Sequence, residues 1–135
     1  MSRLIQWALV LATLSATALM AQDASTSPTG TYVAQPIDSA NASAAFAGLT
    51  LRLLGERWGL SNEDGDLVSG RYAVQADTLE IWDEDGRVAC DSHLVGRYLW
   101  ARWENVLRLS LLEDQCPGRR MAMTSMKFIL RESRE

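Results

Sequence analysis

The chain has 135 residues, of which 47% are hydrophobic and 22% charged. These proportions are typical of one folded domain and exclude a disordered chain. Lysine and arginine number 13 against 17 aspartates and glutamates. This acidic balance argues against a basic surface for nucleic acid, so we expect no nucleic-acid partner.

Residues 1–21 have the pattern of a secretory signal peptide. Arg3 precedes an apolar run that begins at Leu4, and small residues follow the run. We expect cleavage after Ala21. The alternative is an uncleaved anchor, because the run just reaches the roughly 17–25 residues that cross a bilayer. No cysteine follows the run at the predicted cleavage point, so no lipid anchor is expected there. The sequence therefore predicts a periplasmic or secreted protein without a stable membrane span after cleavage.

Cys90 and Cys116 both lie in the predicted mature chain. A lone pair of cysteines in an exported protein predicts one disulfide. A reactive thiol is the less favoured interpretation, because no C-x-x-C motif is present. The bond would close a loop of about 27 residues and stabilise the fold by about 3–4 kcal/mol.

Residues 22–29 are small and polar and predict a flexible tail. The domain that we expect over residues 30–132 alternates apolar and polar side chains with a period of two, which indicates strands. Only the alanine-rich segment 39–47 has a helical composition. The eight predicted strands cover residues 31–34, 49–54, 57–61, 67–74, 78–82, 94–103, 106–112 and 121–131.

The strands follow one another with mostly tight turns, among them Asp64-Gly65 and Glu104-Asn105. This order predicts an up-and-down meander, and closing it into a barrel would remove its two exposed edges. Alternate connections then share an end of the barrel, which we call the loop end for the longer connections and the turn end for the shorter ones. Cys90 and Cys116 both fall in loop-end connections, which is consistent with a disulfide.

Several segments resemble bacterial exported lipocalin-like (calycin) domains. Gly30-Thr31-Tyr32 is similar to the G-x-W motif at the first strand of lipocalins, with tyrosine in place of tryptophan. Cys90 and the segments 96–100, 107–109 and 114–119 carry most of the remaining likeness. The resemblance implies an all-β fold, a small eight-stranded antiparallel up-and-down (lipocalin-like) barrel with one disulfide. It also implies a possible interior pocket, and it places Arg131 over Tyr32. It names no ligand, because this fold hosts carriers, inhibitors and a few enzymes.

The alternation along each strand assigns side chains to the interior. Two interpretations stay open, because an eight-stranded barrel can either be filled by side chains or hold one small ligand. On the second interpretation, the predicted pocket residues are Trp58, Tyr72, Ile81, Tyr98, Trp100 and Leu109. Trp82 and Trp103 fall on the outer face, where they could form an exposed patch.

The predicted loop end is acidic. It holds ten of the 17 acidic residues, among them Asp64, Asp66, Asp83, Asp85, Asp91 and Asp114. A negatively charged opening at the loop end would attract cations and repel fatty-acid anions. The hypothesis is a cationic ligand, a basic partner or a weakly held Ca²⁺; the alternative is that these residues only form and solubilise turns. Their spacing does not match an EF-hand, so no metal or cofactor is assigned.

No catalytic residue is assigned. Glu80 is a lone strand carboxylate without a base or nucleophile at a readable spacing, and His93 is the single histidine. The sequence therefore predicts a non-enzymatic exported barrel that binds a small apolar or cationic molecule. One alternative is a protein-binding module, such as a periplasmic protease inhibitor that uses residues 22–29 as its plug. The other is a solid-core envelope protein with no ligand.

Overall fold

A computed structural model describes residues 27–38 and 45–131 of the chain. The predicted signal peptide, residues 22–26 of the predicted tail and most of the predicted helix lie outside the described residues. Eight antiparallel strands pair in chain order and close into a barrel, which confirms the predicted fold. The strands are β1 (Gly30–Pro36), β2 (Thr50–Leu54), β3 (Arg57–Asn62), β4 (Gly65–Gln75), β5 (Thr78–Asp85), β6 (Gly96–Trp103), β7 (Val106–Glu113) and β8 (Met126–Leu130).

The alternation of the strands sorts the side chains as predicted. Apolar residues of all eight strands are buried inside the barrel, whereas five strand arginines lie on its outer face: Arg52, Arg57, Arg71, Arg97 and Arg108. Val74 and Leu111 are exceptions, since the alternation predicts that both side chains point inward, yet both are exposed. Val74 lies next to the turn that ends β4. Leu111 lies on a part of β7 that has no partner in β8, because these strands pair only at residues 106 and 107 of β7.

One predicted strand, residues 121–131, is wrong over its first five residues. Residues 117–125 form a helix, α1 (Pro117–Ser125), and only β8 remains extended. The sequence prediction began this strand at Met121. However, Pro117 occupies the first helical turn, where proline is favoured, and arginine, methionine and alanine are good helix formers. The buried residues of the helix are Arg119, Ala122 and Met123, and this spacing of three and four is helical.

The turn end is closed around Tyr32, whose side chain is fully buried. Its hydroxyl donates a hydrogen bond to the carbonyl oxygen of Pro28 at 2.6 Å, so the buried Pro28 is tied to the barrel. The guanidinium of Arg102 lies 6.0 Å from the centre of the Tyr32 ring. The resemblance placed Arg131 over this ring, but Arg102 occupies that position. A cation over an aromatic face is stabilising at this distance.

The predicted disulfide is confirmed. Cys90 and Cys116 are bonded, with their Cα atoms 6.0 Å apart, and they join the connection after β5 to the segment that leads into α1. Within residues 27–38 and 45–131, no helix is both long and apolar enough to cross a membrane.

Candidate ligand site

A buried ionic network lies at the loop end. Arg119 of α1 is only 6% exposed, and it lies between Asp83 of β5 and Asp114, which are 1% and 4% exposed. Its Nε and Nη2 atoms donate to the two carboxylate oxygens of Asp114, each at 2.8 Å. Its Nη1 atom donates to Asp83 Oδ1, also at 2.8 Å. The first contact is a bidentate pair, the strongest geometry that arginine and a carboxylate form.

The network is completed by the disulfide segments and by Tyr98. The amide of Cys90 donates to Asp83 Oδ2 at 2.8 Å, and the amide of Cys116 donates to Asp114 Oδ1 at 2.9 Å. The hydroxyl of Tyr98 donates to Asp114 Oδ2. Each half of the disulfide is therefore attached to one of the two buried carboxylates.

Gly96 leaves room for this network. A Cβ atom at position 96 would overlap Asp114 Oδ2 and would lie 3.1 Å from Arg119 Nε. Because both atoms belong to a buried ion pair, they could not move aside easily. The glycine at the start of β6 is thus required by the ionic contacts beside it.

The contacts shift three pKa values, in the directions that keep Asp114 and Arg119 ionised and Tyr98 protonated. Burial by itself would raise the pKa of Asp114, but hydrogen bonds from Arg119, Tyr98 and the Cys116 amide outweigh it and lower that pKa. Burial would likewise lower the pKa of Arg119, but its two carboxylate partners raise it. Burial, and then the bond to Asp114, raise the pKa of Tyr98, so its hydroxyl remains a donor.

A cavity of about 220 Å³ adjoins this network. Its walls are mainly apolar and include Phe46, Leu49, Trp58, Leu60, Val68 and Met123. Its charged lining residues are Asp83 and Arg119. The rim reaches the surface at Ala45, Val88 and Gly118, which are exposed. The cavity therefore lies between the loop end of the barrel and α1, and a small molecule could enter it from solvent.

The cavity is not where the sequence predicted the pocket. Of the six predicted pocket residues, only Trp58 lines it. Tyr72, Ile81, Tyr98 and Leu109 are buried in the barrel core, and Trp100 donates from its indole nitrogen to the carbonyl of Ala76 at the turn end. The aromatic side chains therefore pack the barrel, while the open space lies above them, where α1 and the loops meet.

The predicted acidic loop end is corrected at two positions. Asp83 and Asp114 do not face solvent, because both are buried against Arg119. Asp64, Asp66, Asp85 and Asp91 are exposed, as a loop-end surface requires. Asp66 pairs with Arg52 at 2.7 Å, so part of the predicted negative charge is neutralised by strand arginines.

The predicted tryptophan patch and one cluster of possible metal ligands can be judged on the structure. Trp82 and Trp103 do not form one patch: Ile81 pairs with Gly96, which puts Trp103 about seven residues, or roughly 23 Å, farther along β6. Trp103 alone is strongly exposed, at 79%. The side chains of Asp83, Cys90 and Cys116 lie within 4.8 Å of one another, but the two sulfurs are bonded to each other and offer no thiolate to a metal.

The cavity was not predicted from the sequence, because Ala122 and Met123 were assigned to a strand and Gly118 to the connection before it. The available signal was the helical spacing of Arg119, Ala122 and Met123 after Pro117. The chain matches no family model, no curated protein and no solved structure. The lipocalin-like identity and the protein-binding alternatives therefore stay predictions.

Proposed function

We propose that this protein is an exported, non-enzymatic, lipocalin-like binding protein. Its ligand is a small, partly apolar molecule held in the cavity between α1 and the loop end. The observation that carries this proposal is the cavity itself, an apolar space of about 220 Å³ with two charged residues in its lining. A mainly apolar lining with a few polar groups is the usual composition of a small-molecule site.

The size of the cavity limits the ligand. Pockets for drug-sized molecules measure roughly 300–1,000 Å³, whereas cavities of about 150 Å³ hold benzene. The volume of about 220 Å³ therefore favours one ring, or a short alkyl chain, with a small substituent. Long-chain fatty acids are too large to be enclosed in it.

Export is proposed from the signal-like residues 1–21 and from the disulfide, which forms readily outside the reducing cytoplasm. Native mass spectrometry of the protein from the exported fraction tests this proposal. We expect a chain that begins at Gln22 and has lost two hydrogens in the disulfide. A retained ligand would add a mass that leaves on denaturation. An intact residue 1–21 segment in the exported protein would contradict cleavage.

A cavity-filling variant tests the site. Ala122 is buried and lines the cavity, so Ala122→Leu places extra methyl groups in it. We expect this variant to lose binding of 2-phenylethanol, measured by calorimetric titration. Ala122→Val is the milder variant if the leucine perturbs folding. Met121→Leu on the exposed neighbouring position is the matched control, and it should bind like the parent protein. Equal binding by all variants would place the ligand elsewhere.

A further inference from the structure

The charged groups of the ionic network beside the cavity do not balance. The network contains two carboxylates and one guanidinium, so it carries a net negative charge when all three are ionised. Asp114 receives the bidentate contact from Arg119 as well as the hydrogen bonds from Tyr98 and the Cys116 amide. Asp83 receives one guanidinium bond and one amide bond. The uncompensated charge therefore lies mainly on Asp83.

Asp83 is also the carboxylate that lines the cavity, whereas Asp114 does not. An ionised carboxylate has about four positions at which it can accept a hydrogen bond. The bonds from Arg119 and Cys90 use two of them. Asp83 can thus accept further hydrogen bonds from a molecule in the cavity.

Arg119 has less to offer a ligand. Four hydrogen bonds from its guanidinium go to Asp114, Asp83 and the carbonyl oxygen of Leu94. A guanidinium has five N–H donors, so among the described residues a single one is left. An anion would therefore meet one remaining donor beside an undercompensated carboxylate, in surroundings where charges interact more strongly than in water.

We propose that the cavity selects a small organic cation, a primary ammonium attached to one ring or a short alkyl chain. The apolar walls would hold the body of the ligand, and Asp83 would accept hydrogen bonds from its ammonium group. The exposed carboxylates at the loop end have the sign that would attract such a cation from solution. This inference rests on the proposed ligand-binding function and specifies the chemistry of its ligand.

Three probes of one shape test the charge preference: 2-phenylethylamine, 2-phenylethanol and phenylacetate, titrated calorimetrically into the full mature protein at pH 7. We expect the amine to bind at least about tenfold more tightly than the alcohol, as a charge-assisted hydrogen bond implies, and the acid to bind most weakly. If the alcohol binds and the amine gains nothing, or if the acid binds best, the cationic preference is wrong and the cavity remains a binding site. If no probe binds, the binding function itself is overturned.

The variant Asp83→Asn tests whether Asp83 produces the preference for the amine. The variant keeps the shape of the side chain and removes its charge, so the amine should lose its advantage while the alcohol still binds. Asp66→Asn is the matched control, since Asp66 is an exposed carboxylate at the same end that does not line the cavity. An unchanged amine preference in Asp83→Asn would overturn the assignment.

Salt dependence provides a measurement that needs no variant. The Debye length falls from about 10 Å at 0.1 M salt to about 3 Å at 1 M. A preference that comes only from exposed carboxylates should then nearly vanish, whereas direct contact with the buried Asp83 should persist. We expect most of the amine advantage to survive at 1 M salt. Its complete loss would show that the exposed loop-end charges, and not Asp83, produce it.

Discussion

The two ends of the barrel each bury a tyrosine hydroxyl, but they satisfy it differently. At the turn end, Tyr32 donates to a backbone carbonyl of Pro28, and the rings and leucines around it pack the interior. At the loop end, Tyr98 donates to the carboxylate of Asp114, which belongs to an ionic network. Buried hydroxyl groups need a partner at both ends, and the acceptor is a backbone carbonyl at the turn end but a buried carboxylate at the loop end.

The comparison explains why the cavity lies at the loop end. At the turn end, short turns and the Pro28 segment bring backbone groups directly over the core. At the loop end, longer connections and α1 cover the barrel, and α1 is fixed by Arg119 and by the disulfide. These contacts hold the helix together with Met123, which packs into the core, and the cavity occupies space between the helix and the strands. Breaking those contacts is therefore the direct way to test the difference between the ends.

The largest expected effect is from Arg119→Met. This change leaves Asp83 and Asp114 buried without their cation, and loss of one partner from a buried ion pair costs about 3–5 kcal/mol. Urea unfolding measures the free energy of unfolding. Arg120→Met, at the exposed neighbouring position, is the control and should change it by less than about 0.5 kcal/mol. Similar losses in both variants would mean that the network does not hold α1.

The disulfide should have the next largest effect. Replacing Cys90 and Cys116 together by alanine is expected to lower the free energy of unfolding by about 3–4 kcal/mol, because the bond restricts the unfolded chain. Reductant should destabilise the parent protein and leave the double variant unchanged. A parent protein that is insensitive to reductant, under conditions that fully reduce it, would contradict the predicted contribution.

The two tyrosines allow a direct comparison of the ends. Tyr98→Phe removes a bond to a charged group and should cost about 1.5–3 kcal/mol, whereas Tyr32→Phe removes a bond to a carbonyl and should cost about 0.5–1.5 kcal/mol. Tyr72→Phe is the control, because within the described residues its hydroxyl has no hydrogen-bond partner. The reverse order of the first two values in urea unfolding would mean that the ionic network does not strengthen the loop end.

A smaller and graded effect is expected from pH. The pKa of Asp114 is lowered in the folded protein from the usual value of 3.8, so the folded state binds fewer protons on this group than the unfolded state. Its contribution to stability is therefore complete well above pH 3.8 and is lost as the pH falls through the folded pKa. Asp114→Asn should have a shallower decline in unfolding free energy below that pH than the parent protein. Identical slopes would exclude this contribution.

The strand pattern could be predicted because it is local. Alternation with a period of two, interrupted by pairs such as Asp64-Gly65 and Glu104-Asn105, indicates strands and turns wherever it occurs. The order of short and long connections then determined which connections share an end, and so brought Cys90 and Cys116 together. Residues 121–125 were assigned to a strand and residues 117–120 to the connection before it, so the helical spacing of Arg119, Ala122 and Met123 was divided between the two.

The closed eight-stranded barrel and its disulfide can be predicted from the sequence, because both follow from alternation, turn spacing and the number of cysteines. The position of the cavity and the burial of particular charges depend instead on contacts between distant segments. Arg119 is 36 residues from Asp83 along the chain, so no local pattern joins them. Whether a loop carboxylate faces water or a cation depends on what packs over it. For Asp83 and Asp114, the packing of α1 brings Arg119 against both carboxylates.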